Sequence, residues 1–211
     1  MREAILAAAM KLFHEESFEK TTIRRIAEAI EYTPGALYSY FKDKDEILFA
    51  LHQRGFETLF AMQVPALEIA DPVERLRRLA EIYLEFAFAN PQAYDLMFIA
   101  SRTGRSIEKA EDWSCGERTY EVLRQTMREA IAAGRMRGTD DPDVAAFAAW
   151  AAVHGIASLM IRNRCRILPE EGRDRIVRGA AALLMELTGP PVGVDRLPEP
   201  LLRACFFWLD G

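Results

Sequence analysis

The sequence predicts an all-α protein, with a small N-terminal helical unit followed by a larger one. Three observations carry this. Apolar residues recur at three- and four-residue spacing almost throughout, as in Ile5, Ala8, Ala9, Leu12 and Phe13, which is the repeat of helices with one buried face. Alternating strand-like runs are almost absent. Proline and glycine fall between the periodic segments, at Pro34-Gly35, Asp71-Pro72, Asn90-Pro91, Gly104, Gly134, Gly138, Asp141-Pro142, Pro169 and Gly189-Pro190-Pro191, where helices stop or start.

These breaks divide the chain into about nine helices. The first runs from Arg2 to Glu16. The second, Thr22 to Ile30, opens on a threonine pair whose hydroxyls can accept from a free first-turn amide. Within it Ile26 and Ile30 face inward, and Ala27 is small enough for another helix to approach. The third, Pro34 to Phe41, is capped by Thr33 and carries proline at its first position, where the missing N–H costs nothing. Then follow Lys44 to Met62, Pro72 to Ala89, Pro91 to Ser101, Ile107 to Ala133, Pro142 to Asn163, and Pro169 to Leu187. Residues 190–211 begin as a Pro/Gly-rich linker and end in Leu201, Leu202, Phe206, Phe207, Trp208 and Leu209, an apolar tail that should dock.

Length and composition bound the function. A chain of 211 residues that is half hydrophobic can bury a core with room for a second unit. A net charge of −5 argues against coating nucleic acid or anionic membrane by bulk charge, so any DNA binding must be local and geometric. Cys115, Cys165 and Cys205 are too few and scattered for a disulfide framework or a CxxC metal site, and read as thiols in a reducing compartment. His14, His52 and His154 have no spaced partners, so neither metal nor cofactor is expected. Lys11, His14 and Glu15 break any signal-like apolar stretch, and no run reaches the roughly 18 consecutive apolar residues of a membrane span. A cytoplasmic protein without membrane attachment is expected.

The second and third helices are joined by only Glu31 to Thr33, and Leu37 faces the same small core as Ala27. That is the pattern of a helix-turn-helix, whose second helix enters the major groove of double-stranded DNA. The outer face of Pro34 to Phe41 is uncharged: Pro34, Gly35, Ala36, Ser39 and the edges of Tyr38 and Tyr40. Hydroxyls of Thr33, Ser39, Tyr38 and Tyr40, with the flanking charges of Arg24, Arg25, Lys42 and Lys44, suit phosphate contacts that fix orientation. Base reading falls to Arg24 or Arg25, to Thr33 or Ser39, and to apolar contact of Pro34 or Ala36 with thymine methyls.

The run TTIRRIAEAIEYTPGALYSYFKDKDEIL resembles the N-terminal domain of TetR-family bacterial transcriptional regulators, through Thr21-Thr22, Ile26-Ala27, Gly35, Leu37, Tyr38, Tyr40-Phe41 and Lys44. The resemblance implies phosphate contacts from Thr22, Tyr38, Tyr40 and Lys44, and base contacts from around Thr33 to Ala36. It departs from the family where glycine is usual: Ser17 stands before the second helix and Glu31 in the turn. The N-terminal arm is almost absent, so a minor-groove contact from a basic extension is not expected.

From Leu48 onward there is no nucleic-acid signature, but aromatics and methionines are plentiful. Most are core. The resemblance implies that these helices also enclose an effector pocket, for which Phe60, Tyr83, Phe86, Tyr94, Phe98, Trp113, Tyr120, Trp150 and His154 are the candidates. Such a lining suits a hydrophobic or aromatic small molecule. The segment AAWAAVHGIASLMI resembles a C-terminal domain type named for its Trp, His and Gly, here Trp150, His154 and Gly155. The small residues Ala145, Ala148, Ala152 and Gly155, with Ile176 and Leu183 on the next helix, form a candidate two-fold homodimer interface.

The expected organisation is therefore a DNA-binding domain over residues 1–47, an effector and dimerisation domain over 48–189, and the tail. By family habit the resemblance implies a dimeric repressor released from its operator by a small molecule. The rival is an all-α enzyme or small-molecule-binding protein, but Glu85, Asp95, Glu108 and Asp112 read better as solvated charges than as a catalytic set. A helical adaptor acting through Phe206 to Leu209 would not need the capped second helix and Tyr-rich third.

Overall fold

The computed structural model describes residues 1–98, 114–136, 139–173, 175–177 and 179–180. Within them the ordered elements are helices: α1 (Arg2–Glu16), α2 (Ile23–Ala29), α3 (Pro34–Tyr38), α4 (Lys44–Gln63), α5 (Pro72–Ala89), α6 (Pro91–Phe98), α7 (Ser114–Ala132) and α8 (Pro142–Ile161), with a 3-10 turn at Val64–Glu68. The turn was not expected. Pro65 near its start cannot supply the N–H that would continue α4.

Local chemistry sets most boundaries. Thr22 Oγ1 accepts from the Arg25 amide, Thr33 Oγ1 from Ala36, Asp43 from Glu46, Asp71 from Val73 and Glu74, and Asp141 from Asp143 and Val144. Each satisfies a first-turn donor that the helix leaves without a partner. Helix α3 ends at Tyr38 rather than Phe41, and its last turn tightens as the Tyr40 amide bonds the Leu37 carbonyl three residues back, a carbonyl it shares with the Phe41 amide. The last expected helix does not start at Pro169. Residues 173, 175–177, 179 and 180 are helical, after a turn in which Gly172 has φ 82°.

Two cores stack along α4. In the head, Ile5, Leu6, Ala9 and Leu12 of α1 pack on Ile26, Ala27, Leu37 and Phe41, and on Ile47, Leu48, Ala50 and Leu51 of α4. The expected boundary at residue 47 thus falls inside α4, and Leu96 of α6 also enters this core. The body core gathers Phe56 and Leu59 with Leu79, Ile82, Tyr83 and Phe86 of α5, Tyr94 and Met97 of α6, and Val153 and Ala157 of α8. Helix α4 therefore runs from one core into the other, and α6 touches both, through Leu96 in the head and Tyr94 and Met97 in the body.

Two non-glycine residues of the head occupy left-handed backbone. Glu31, φ 60°, stands just past the end of α2, and the amides of Glu31 and Tyr32 close onto the carbonyls of Glu28 and Ala27. This Schellman turn satisfies the helix end but favours glycine. Ser17, φ 75° and ψ 156°, ends α1 in a region that side chains rarely tolerate, held there by two hydrogen bonds from Thr21 to the Ser17 carbonyl. Ser17→Gly is expected to stabilise the protein by about 1 kcal/mol, read as a rise in thermal midpoint of a few degrees. A lower midpoint would mean that the serine contributes more than its strain.

Candidate nucleic-acid interface and cavity

The head presents its third helix outward. Leu37 is buried, and Gly35 and Ser39 lie opposite it at 100° per residue. A Cβ on Gly35 would meet only Thr33 Oγ1 at 4.0 Å, so nothing inside the chain requires glycine there. Its absence leaves the backbone itself free to approach a ligand closely. Thr22, Arg24, Arg25, Thr33, Pro34, Gly35, Tyr38, Ser39 and Tyr40 are all exposed on this unit, and Ala36 is half-buried. Tyr38 is 57% exposed and Tyr40 46%, unusual for aromatic rings and apt for phosphate and sugar contact.

The cations are less simply arranged. Arg24 pairs with Glu28 at 2.8 Å and Arg25 with Glu16 at 2.5 Å, both at the surface, where exchanging a carboxylate for a phosphate costs little. Lys44, by contrast, turns back into its own chain. Its ammonium donates to the carbonyls of Phe18 and Thr21, the latter at 2.7 Å, and lies 4.1 Å above the Phe18 ring. These acceptors compensate a cation at a helix N-terminus, and they tie the α1–α2 connection to α4. Two of the three Lys44 N–H donors are thus used within the chain, where the sequence led us to expect a direct phosphate contact.

The body holds a partly open cavity of about 1040 Å³, lined among the described residues by side chains of five helices. One stripe of α4, His52, Phe56, Leu59 and Gln63, forms a wall, facing α5, α6, α7 and α8. Of the candidates, Tyr83, Phe98, Tyr120 and Trp150 line it. Tyr94 and His154 stand behind Tyr83: Nδ1 of His154 lies 3.0 Å from the Tyr83 hydroxyl and 2.8 Å from that of Tyr94, whose hydroxyl is also 3.2 Å from the His154 carbonyl. A neutral imidazole accepts from one phenol, and the carbonyl offers a second acceptor. Burial depresses the His154 pKa and raises that of Tyr83, and it pushes Tyr94 up to about 12, so all three stay neutral.

Two pocket candidates lie elsewhere. Phe60 sits beside the lining stripe of α4, its ring covered by the Arg118 guanidinium at 4.2 Å. Phe86 is one turn past the last lining residue of α5, buried in solid core. Trp113 lies outside the described residues. Sequence reasoning missed Phe56, Gln63 and above all His52, weighed only as a metal ligand. The signal was a histidine and a glutamine at the ends of an otherwise apolar stripe. His52 is 0% exposed, between the rings of Phe49 and Phe56, and burial lowers its pKa to about 4.

Helix α8 is apolar all round. By length and composition it could cross a membrane, with mean hydropathy 1.8 over 18 residues, yet only 22% of that window is buried inside the chain. Ala145 faces inward, against Leu76, Met127 and Ala130, so it is not on the outer face expected of it. Ala148 is exposed there with Val144, Phe147, Ala151 and Leu159, while Ala152 and Gly155 are half-exposed. Ile176 is half-buried and Leu183 lies outside the described residues.

Comparison with known proteins adds the decisive observation. A family model for the N-terminal domain, described as bacterial regulatory proteins of the tetR family, matches residues 5–51, and one for a tetracyclin repressor-like C-terminal domain matches 76–184. The chain belongs to the TetR family. Among TetR-family relatives, the HTH-type transcriptional regulator HbdR of Aromatoleum sp. (strain CIB) is 31% identical over 142 residues, 66% of this chain and 62% of HbdR. The match thus spans less than two thirds of that relative. An HTH-type transcriptional repressor of Mycobacterium tuberculosis is 28% identical over 148 residues, 68% of this chain and 73% of the repressor. The TetR-family regulator PfmR from Thermus thermophilus has a solved structure with a TM-score of 0.64 at 27% identity, covering 86% of this chain and 97% of PfmR. The family model for the N-terminal domain spans the exposed α2–α3 pair, and the C-terminal one spans α5 to α8 of the body.

Proposed function

We propose that this TetR-family protein represses transcription by binding a palindromic operator as a homodimer, with α3 of each protomer in the major groove, and that a small, mainly apolar molecule entering the cavity releases it. The observation that carries this reading is the sharing of α4. Its first half supplies Ile47, Leu48, Ala50 and Leu51 to the head core, and its second half walls the cavity. Helix α6 is coupled to it. A Cβ on Gly55 would come within 2.3 Å of Met97 Sδ, so α6 rests almost on the α4 backbone, with Met97 at the cavity and its neighbour Leu96 in the head core. A ligand that displaces Met97 would move both helices and with them the separation of two reading heads. The exposed apolar face of α8 supports the dimer.

The test is selection of duplexes from a random DNA pool at stated salt, repeated with mixed hydrophobic and aromatic compounds. An enriched palindrome, lost with one compound class, is expected; no enrichment at low salt would sink the reading. Variants separate the roles within the head. Tyr38→Ala should weaken operator binding about tenfold on every sequence and flatten its salt dependence, with the thermal midpoint unchanged. Lys44→Ala should weaken binding and also cost about 1–2 kcal/mol of stability, because two carbonyls lose their cation. Equal midpoints for the two variants would return Lys44 to a direct phosphate role.

A further inference from the structure

His52 and Gln63 are the two polar side chains of the α4 wall, and both are buried. Neither imidazole nitrogen of His52, nor Oε1 of Gln63, has a hydrogen-bond partner among the described residues. A buried polar atom without a partner is a standing cost to the fold, so it points to something that is bound there in use. The two residues are eleven apart, three helical turns, which places them on one side of α4 about 16 Å from each other along the axis. Between them the wall is Phe56 and Leu59. The stripe is thus polar at its two ends and apolar in the middle.

We propose, resting on the effector reading above, that the cavity takes an elongated, uncharged amphiphile whose apolar middle lies along Phe56 and Leu59, with a hydroxyl-like group at His52 and a hydrogen-bond donor at Gln63. The chemistry of each end follows from what is unsatisfied. Held neutral by burial, the imidazole offers one donor and one acceptor, and a hydroxyl complements both capacities. The orphaned Gln63 oxygen needs a donor. A carboxylate at His52 would be buried between the Phe49 and Phe56 rings, which stabilise no anion, and of the two lining cations among the described residues Arg124 is already paired with Glu121 and Asp143 while Arg118 lies over the Phe60 ring. The volume of about 1040 Å³ accommodates a chain of this length with room for branching or a ring.

The experiment uses the full chain without DNA and three probes of one length: 1,10-decanediol, 1-decanol and decanoate. Binding is followed by calorimetry and thermal midpoint in wild type, His52→Phe, Gln63→Leu and the double variant. The diol should bind tightest and decanoate weakest. Each single variant should weaken the diol about tenfold, one hydrogen bond's worth, and the double variant should bind diol and alcohol alike. His52→Phe should fold at least as stably as wild type, because an apolar ring replaces one whose nitrogens lack hydrogen bonds. If it does not fold, Gln63→Leu carries the test by itself. Decanoate binding tightest, no probe binding at all, or variants that leave the diol unaffected would overturn the proposal. Operator release is scored separately: a diol that binds as expected yet leaves DNA bound would sink the regulatory reading and leave the two-ended ligand standing.

Discussion

Ala151→Glu is expected to convert the protein to a monomer and to cost operator affinity a hundredfold or more. Ala151 lies at the middle of the outer face of α8, with Val144, Ala148 and Gly155 beside it, and it lines no part of the cavity. A two-fold interface repeats each substitution, so two carboxylates would be buried close together with no counter-charge. A lone head of short helices has little affinity, because the second head binds at the high local concentration that dimerisation provides. Sedimentation should give 23.9 kDa in place of twice that mass. A dimer with unchanged affinity would move the interface away from α8.

The second large effect is acid sensitivity. The folded-state pKa of His52 is depressed from 6.5 to about 4 because burial disfavours the charged imidazole. Between those values the unfolded chain binds a proton that the native state does not, so stability rises with pH there and is lost as pH falls from 6.5 towards 4. Stability is full above the unfolded value, and the loss once pH has fallen to the folded one amounts to about 3 kcal/mol. His154, also depressed, adds to the slope, so the quantity to measure is the difference between wild type and His52→Phe in urea midpoint across this window. The variant should be the less acid-sensitive of the two. Parallel pH profiles would mean that His52 gains a proton partner in solution.

The head was largely legible because its determinants are local. The Thr22 and Thr33 caps and the proline at the start of α3 act over two or three residues of chain, and Ala27 and Leu37 meet across a short turn. The two places where the family's glycines are replaced, Ser17 and Glu31, were also visible, and the backbone there is left-handed as glycine would have it. The cavity was legible only as a composition. Aromatics could be counted, but nothing in their spacing distinguished Phe98, which lines it, from Phe86, which is solid core.

By itself, then, the sequence determined the capped helix starts and the outward-facing third helix, since each depends on neighbours a few residues away, while the end of α3 and the start of the last helix fell elsewhere than expected. Tertiary structure decided what depends on distant partners. The Lys44 ammonium chose carbonyls 23 and 26 residues earlier over solvent. Tyr83 and His154 met across 71 residues, and the His52 nitrogens were left with no hydrogen-bond partner in the described chain. On α8, where nearly every position is apolar, periodicity could not say which face lay inward. Packing against α5 and α7 turned Ala145 in and Ala151 out, because burial is assigned by the surfaces a helix meets and not by its own hydrophobicity.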